Sequence, residues 1–186
     1  MCKEQYNRNI RQLENINTFY QSYMPKDCLR WYSKEVFLYN ILNKALRIRD
    51  IDTLYAFRFL IRDIHQELKE NKQFDQQLLD LYRGQALRMD ELSQIEASIG
   101  QYISMNSFLS TNADRTVALV FAQSIDTSNS SLKPVLFHIR ADTTLSNTKP
   151  FADIRLVSHF GEDESEILFI LGSAFKINGV EYEINE

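Results

Sequence analysis

The sequence predicts an α+β protein in which a helical N-terminal part, residues 1–72, precedes a mainly β part, residues 73–186. Two observations carry this. Apolar residues recur at three- and four-residue spacing through the first seventy positions, the period of a helix with one buried face. After Lys72 short apolar runs succeed one another too closely for regular strand–helix–strand crossovers.

Taken in order, residues 7–23 form a first helix, and Pro25 breaks the chain because proline lacks the amide a continuing helix needs. A second helix starts at Leu29 and buries Trp31, Val36, Phe37, Tyr39, Leu42, Ala45 and Leu46. Asp52 and Thr53 restart the pattern for a third, with Leu54, Phe57, Leu60, Ile61, Ile64 and Leu68 on one face. In the second part, residues 78–82 are a short strand ending at Arg83-Gly84, residues 90–99 a helix stopped by Gly100, residues 102–109 a strand, and residues 115–123 a helix. Residues 134–139 and 167–171 are strands, and residues 174–177 join 180–184 through the hairpin signal Asn178-Gly179. Residues 126–131 and 141–148 are loops, and no internal repeat or low-complexity segment occurs.

Composition removes several functions. The chain of 186 residues is 44% hydrophobic and 25% charged, enough for one folded domain and its core. Its 21 basic against 25 acidic residues give a net charge of −4, so neither nucleic acid nor an anionic membrane is expected as a partner. Gly84, Gly100, Gly161, Gly172 and Gly179 are too dispersed for a GxGxxG fingerprint or a Walker loop, so a nucleotide would have to bind another way. Cys2, Cys28, His65, His138 and His159 show no ligand spacing, and no metal is expected. Without a leader or a run of about eighteen apolar residues the chain reads as soluble, cytoplasmic and monomeric, with free thiols.

Three stretches carry candidate chemistry. Gly161-Glu162-Asp163-Glu164-Ser165-Glu166 runs directly into Ile167-Leu168-Phe169-Ile170-Leu171, a strand apolar at both parities and hence covered on both faces. Glu166 shares the face of Leu168 and Ile170, so its carboxylate points inward, where a charge is costly unless paired or hydrogen-bonded. Glu164 stands two residues back on that face, while Glu162 and Asp163 read as loop charges. Arg83 follows Leu79 and Leu81 on one face at a strand end, where a guanidinium can grip phosphate or carboxylate, and Gly84 lets a ligand approach the backbone. Alternation puts Ser104, Asn106 and Ser110 on one polar face, interrupted by Phe108 and opposite Ile103, Met105 and Leu109. No histidine is positioned to activate Ser110, which leaves it a hydrogen-bonding role. Read singly, the acidic run is equally an edge-protecting turn and Arg83 equally a snorkelling side chain.

In their order, Tyr82-Arg83-Gly84, Phe108-Leu109-Ser110-Thr111-Asn112 and Glu164-Ser165-Glu166-Ile167-Leu168-Phe169 resemble the R-S-E class of mono-ADP-ribosyltransferases, the arginine-specific, clostridial-toxin-like enzymes. The resemblance covers residues 78–177, and the helices from Trp31 are similar to the N-terminal helices of that family. Asn112 departs from the family's Ser-Thr-Ser triplet, whereas Ser110 is retained. The resemblance implies a single catalytic domain whose helical part packs on a mixed, mainly antiparallel two-sheet core.

It also implies transfer of ADP-ribose from NAD, as substrate and without a metal, to an arginine of a protein acceptor. By the same resemblance Glu166 stabilises the charge developing on the ribose, Ser110 orients Glu166, Arg83 grips an NAD phosphate, the Gly84 backbone reads the nicotinamide amide, and Glu164 holds the acceptor guanidinium. Phe160 and Gly161 resemble the acceptor-recognising loop, or else anchor a turn. Phe121 stacks on nicotinamide or is core, Trp31, Tyr32, Phe37 and Tyr39 pack the helical part that leans against the adenosine side, and His138 is a hydrogen-bonded core residue. His159 has no assigned role. Two alternatives share these residues: an NAD glycohydrolase that uses water, and a silent binding module in which Arg83, Ser110 and Glu166 are structural.

Overall fold

The computed structural model describes residues 2–34, 36–72, 74, 77–124, 131–159 and 165–182. Helices α1 (Cys2–Gln5) and α2 (Ile10–Ser22) come first, and Asn9 caps α2 by accepting from the Gln12 amide at 3.1 Å. A 3₁₀ turn at Pro25–Asp27 follows, so the proline breaks the chain where expected. The single helix expected from Leu29 is two, α3 (Cys28–Ser33) and α4 (Phe37–Ile48). Val36 is extended, and the free Phe37 amide that starts α4 donates to Gln12 Oε1 at 3.0 Å. The apolar period survives the break because both helices bury Leu29, Tyr32, Phe37, Leu38, Ile41 and Leu42 in one core. The third expected helix is likewise α5 (Ile51–Ala56) and α6 (Arg58–Glu70), capped at Asp50, which accepts from the Thr53 amide at 3.2 Å, rather than at Asp52.

The second part contains β1 (Leu78–Arg88), α7 (Met89–Ala97), β2 (Tyr102–Met105), β3 (Leu109–Asn112), α8 (Arg115–Gln123), β4 (Leu132–Asp142), β5 (Phe151–Asp153), β6 (Glu166–Phe169) and β7 (Ser173–Lys176). A five-stranded sheet has the order β4-β1-β3-β6-β5 and a two-stranded sheet pairs β2 with β7; every ladder is antiparallel. One face of the larger sheet meets the helices through Ala152, Leu168 and, beside the strands, Phe108, Ile154 and Ile170. On the other face Leu81, Leu109, Ile139, Ile167 and Phe169 pack with Met105 and Phe175 from the small sheet and its edge.

Four expectations are corrected. The strand expected over 102–109 is two strands in different sheets, because Phe108 turns into the helix-side core, 4.9 Å from the Tyr32 ring. Ser104 therefore does not share a face with Ser110. β1 does not end at Arg83-Gly84 but runs on to Arg88. The C-terminal hairpin is replaced: β7 pairs with β2, Ile177 and Gln101 continue that contact through a 2.9 Å hydrogen bond, residues 180–182 are not a strand, and 183–186 lie outside the described residues. His138 is half exposed at 51% rather than core, because β4 is an edge strand; its Nε2 lies 2.6 Å from Asp80 Oδ1 and its ring stacks on Tyr82.

Candidate active site

The larger sheet forks at Arg83. β1 pairs with β4 along its whole length, including Arg83 with Phe137 and Gly84 with Leu136, but meets β3 only at Tyr82 and Asn112. A continued β1–β3 ladder would set Gly84 opposite Ser110. Instead the Arg83 guanidinium occupies the fork: Nη1 donates to the Ser110 carbonyl at 2.7 Å and Nε to Gln85 Oε1 at 2.9 Å. Arg83 therefore sits inside a strand, but at the end of that strand's contact with β3.

Gly84 is required there for packing. A Cβ at this position would lie 2.0 Å from the Ala118 carbonyl oxygen and 2.6 Å from the Ala122 amide nitrogen, so the missing side chain is what lets α8 lie directly on β1. Ala118 and Ala122 are the buried residues of α8, and Phe121 stays 59% exposed. Of its two expectations, packing into the core is thus overturned.

β3 pairs with β6 through Ser110–Leu168 and Asn112–Glu166, so these four side chains share one face. That face is the one Leu168 buries against the helices. As expected from its two apolar parities, β6 is covered on both sides: Ile167, Leu168 and Phe169 are all buried, and Glu166 is half-buried at the strand's start. Thr111 points to the opposite face, where its hydroxyl donates to the Ile167 carbonyl at 2.8 Å.

Register supplies what residue order could not. The residue directly across from Glu166 is Asn112, and Ser110 is one pair further along. Asn112 Oδ1 accepts from the Asp114 amide at 2.7 Å, and Asp114 in turn caps α8 by accepting from the Thr116 amide at 2.7 Å. The Asn112 amide is thereby held at the junction of strand and helix, and among the described residues its NH₂ group remains available as a donor.

Tyr32 of α3 backs this region. Burial pushes its phenol pKa up; the neighbouring Tyr39 and the Glu166 carboxylate raise it further, while an Asn43 hydrogen bond of 3.2 Å and the Arg83 charge act the other way. Arg83 and Glu166 thus both lie within electrostatic reach of one buried hydroxyl. Nothing in the apolar spacing of Trp31 to Leu46 distinguished Tyr32 from its packing neighbours.

Glu164, together with Phe160, Gly161, Glu162 and Asp163, lies outside the described residues. The His159 amide donates to Ser33 Oγ at 2.7 Å, tying the loop after β5 to α3. Among the described residues no group of three or more His, Cys, Asp or Glu is placed to hold a metal ion, and no helix is long and apolar enough to cross a membrane. Cys2 and Cys28 are not in a disulfide, and burial pushes the Cys28 thiol up to about 12.

No family model and no curated protein matches the sequence. Solved structures do match. An inhibitor-bound structure of the ADP-ribosyltransferase Vis, a toxin of Vibrio splendidus, superposes with a TM-score of 0.65 at 24% identity, over 85% of this chain and 67% of that one. Vis in complex with agmatine gives a TM-score of 0.60 at 22% identity, over 86% and 68%. C3stau2 of S. aureus, solved with NAD, gives 0.60 at 17% identity, over 94% and 89%. The helical layer, the antiparallel two-sheet core and these superpositions together establish that the chain has the ADP-ribosyltransferase fold.

Proposed function

We propose that this chain is a mono-ADP-ribosyltransferase that moves ADP-ribose from NAD to the arginine side chain of a protein, releasing nicotinamide. The observation that carries the proposal is the fork itself. Arg83 binds the Ser110 carbonyl at 2.7 Å, and Ser110 shares a face with Glu166 on the next strand.

The chemistry resembles glycoside cleavage. As the bond between ribose C1′ and the nicotinamide nitrogen breaks, its electron pair leaves with nicotinamide and positive charge spreads over the ribose. A fixed carboxylate beside that carbon stabilises the transition state more than the ground state, the role we assign to Glu166. Ser110 orients that carboxylate and the ribose. A guanidinium has five N–H donors and Arg83 uses two on Ser110 and Gln85, so the rest are available to an NAD phosphate. The Gly84 backbone reads the nicotinamide amide and the exposed Phe121 ring stacks on nicotinamide. Glu164 holds the acceptor guanidinium and offsets its charge until a nitrogen attacks C1′ and gives up a proton to solvent. Arginine as acceptor is supported by the Glu-x-Glu order at Glu164 and Glu166 and by the agmatine bound in Vis.

The test is incubation with adenine-labelled NAD and agmatine. Label in agmatine is the expected result. Label only in free ADP-ribose would make the chain a glycohydrolase, and absence of nicotinamide release would overturn the proposal.

Asn112 gives a second check on the same chemistry. Asn112→Asp keeps the oxygen that accepts from Asp114 but sets a carboxylate directly across from Glu166, and a like charge there raises the Glu166 pKa. The acid limb of the pH–rate profile is therefore expected to move to higher pH. Because Glu166 works ionised, its stabilising effect is present above its pKa and lost as pH falls through it, so the variant loses activity first at the acid end. An unmoved acid limb would remove Asn112 from the surroundings of the carboxylate.

A further inference from the structure

A recess of about 310 Å³ lies between the start of α3 and the loop after β5, lined by Lys26, Asp27 and Arg30 on one side and Leu156, Ser158 and His159 on the other. We propose that it is a docking subsite for the protein acceptor and takes an acidic side chain lying close to the arginine that is modified; this rests on the arginine-transferase function proposed above.

Three observations support that assignment. Lys26 and Arg30, spaced one helical turn apart, both line the recess, and neither has an ion-pair partner within 4.0 Å among the described residues. Lys26 and Arg30 outnumber the one acid of the lining, Asp27, and that excess of positive charge suits a carboxylate. Leu156, 86% exposed, adds an apolar lip of the kind a docked chain covers.

The recess is also coupled to Glu166. The Ser158 amide donates to the Ile154 carbonyl at 2.7 Å, and the Ile154 amide to the Glu166 carbonyl at 2.9 Å, so two backbone hydrogen bonds link it to the residue assigned to the chemistry. Its other wall, α3, carries Tyr32, which senses Glu166 from the core side. An acceptor chain seated in the recess is thereby held at the same end of the sheet as Glu166.

The experiment compares arginine peptides that carry one glutamate at successive positions on either side of the arginine with a glutamate-free peptide and with agmatine. For wild type, one glutamate position is expected to raise kcat/KM about tenfold over the glutamate-free peptide. The exposed pair Lys26→Gln and Arg30→Gln is expected to erase that gain and leave agmatine kinetics unchanged. No preferred position, or an equal loss toward agmatine, would overturn the subsite. Fluorescence anisotropy of the same labelled peptides needs no turnover. Weaker binding to the double variant supports the recess even if NAD is not cleaved, which would sink only the transferase function; equal binding of all peptides sinks the recess.

Discussion

Glu166→Gln is expected to lower nicotinamide release by about a thousandfold. The amide is isosteric and still hydrogen-bonds the ribose, so NAD binding is kept while the negative charge that favours the transition state is lost; the fall therefore belongs in kcat and not in KM. Glu164→Gln is expected to behave differently. It leaves the charge beneath the ribose intact, so slow hydrolysis of NAD continues, but the acceptor guanidinium loses the carboxylate that orients it and transfer to agmatine falls to background. Nicotinamide release and label incorporation measured on the same samples separate the two. Equal loss of both activities in Glu164→Gln would contradict the division of labour between the two carboxylates.

Gly84→Ala is expected to destabilise the fold by about 3 kcal/mol, at the upper end for an inserted methyl, because the atoms it strikes are backbone. The new Cβ would stand 2.0 Å from the Ala118 carbonyl oxygen, and no rotamer change relieves a contact with a helix backbone. For a domain of this length that corresponds to a fall in Tm of roughly 10 °C. Gly100→Ala is the control: it has open space but a φ of 86°, so it costs only the left-handed strain of about 1 kcal/mol. A Gly84→Ala protein as stable as wild type would mean that α8 is not seated on β1 as described.

At Gly84 the residue order suggests a strand end, yet β1 continues to Arg88 and the missing side chain also seats α8. That difference typifies what one sequence hides. The helix expected over 115–123 forms with those bounds, capped by Asp114 and burying Ala118 and Ala122. The break between α3 and α4 left no trace, since no proline or glycine marks it and the helix that caps α4 is α2, through Gln12. Asn178-Gly179 signalled a hairpin, but a turn signal cannot say that β2 already occupies the edge of β7. At the proposed site, the choice of Arg83, Ser110 and Glu166 rests on residue type and order alone. Their relation is not legible there: the fork between β1 and β3 and the pairing of Asn112 with Glu166 are matters of register, which depends on contacts between residues far apart in the chain.

The central claim, that these three stretches meet at the anomeric carbon of NAD, is tested most directly by a crystal structure with an NAD analogue that resists cleavage. The expected result places a Glu166 oxygen about 3.5 Å from C1′, with a phosphate on the Arg83 guanidinium and the Ser110 hydroxyl on the ribose side of the fork. An analogue bound elsewhere on the molecule, with the fork between β1 and β3 unoccupied, would contradict it.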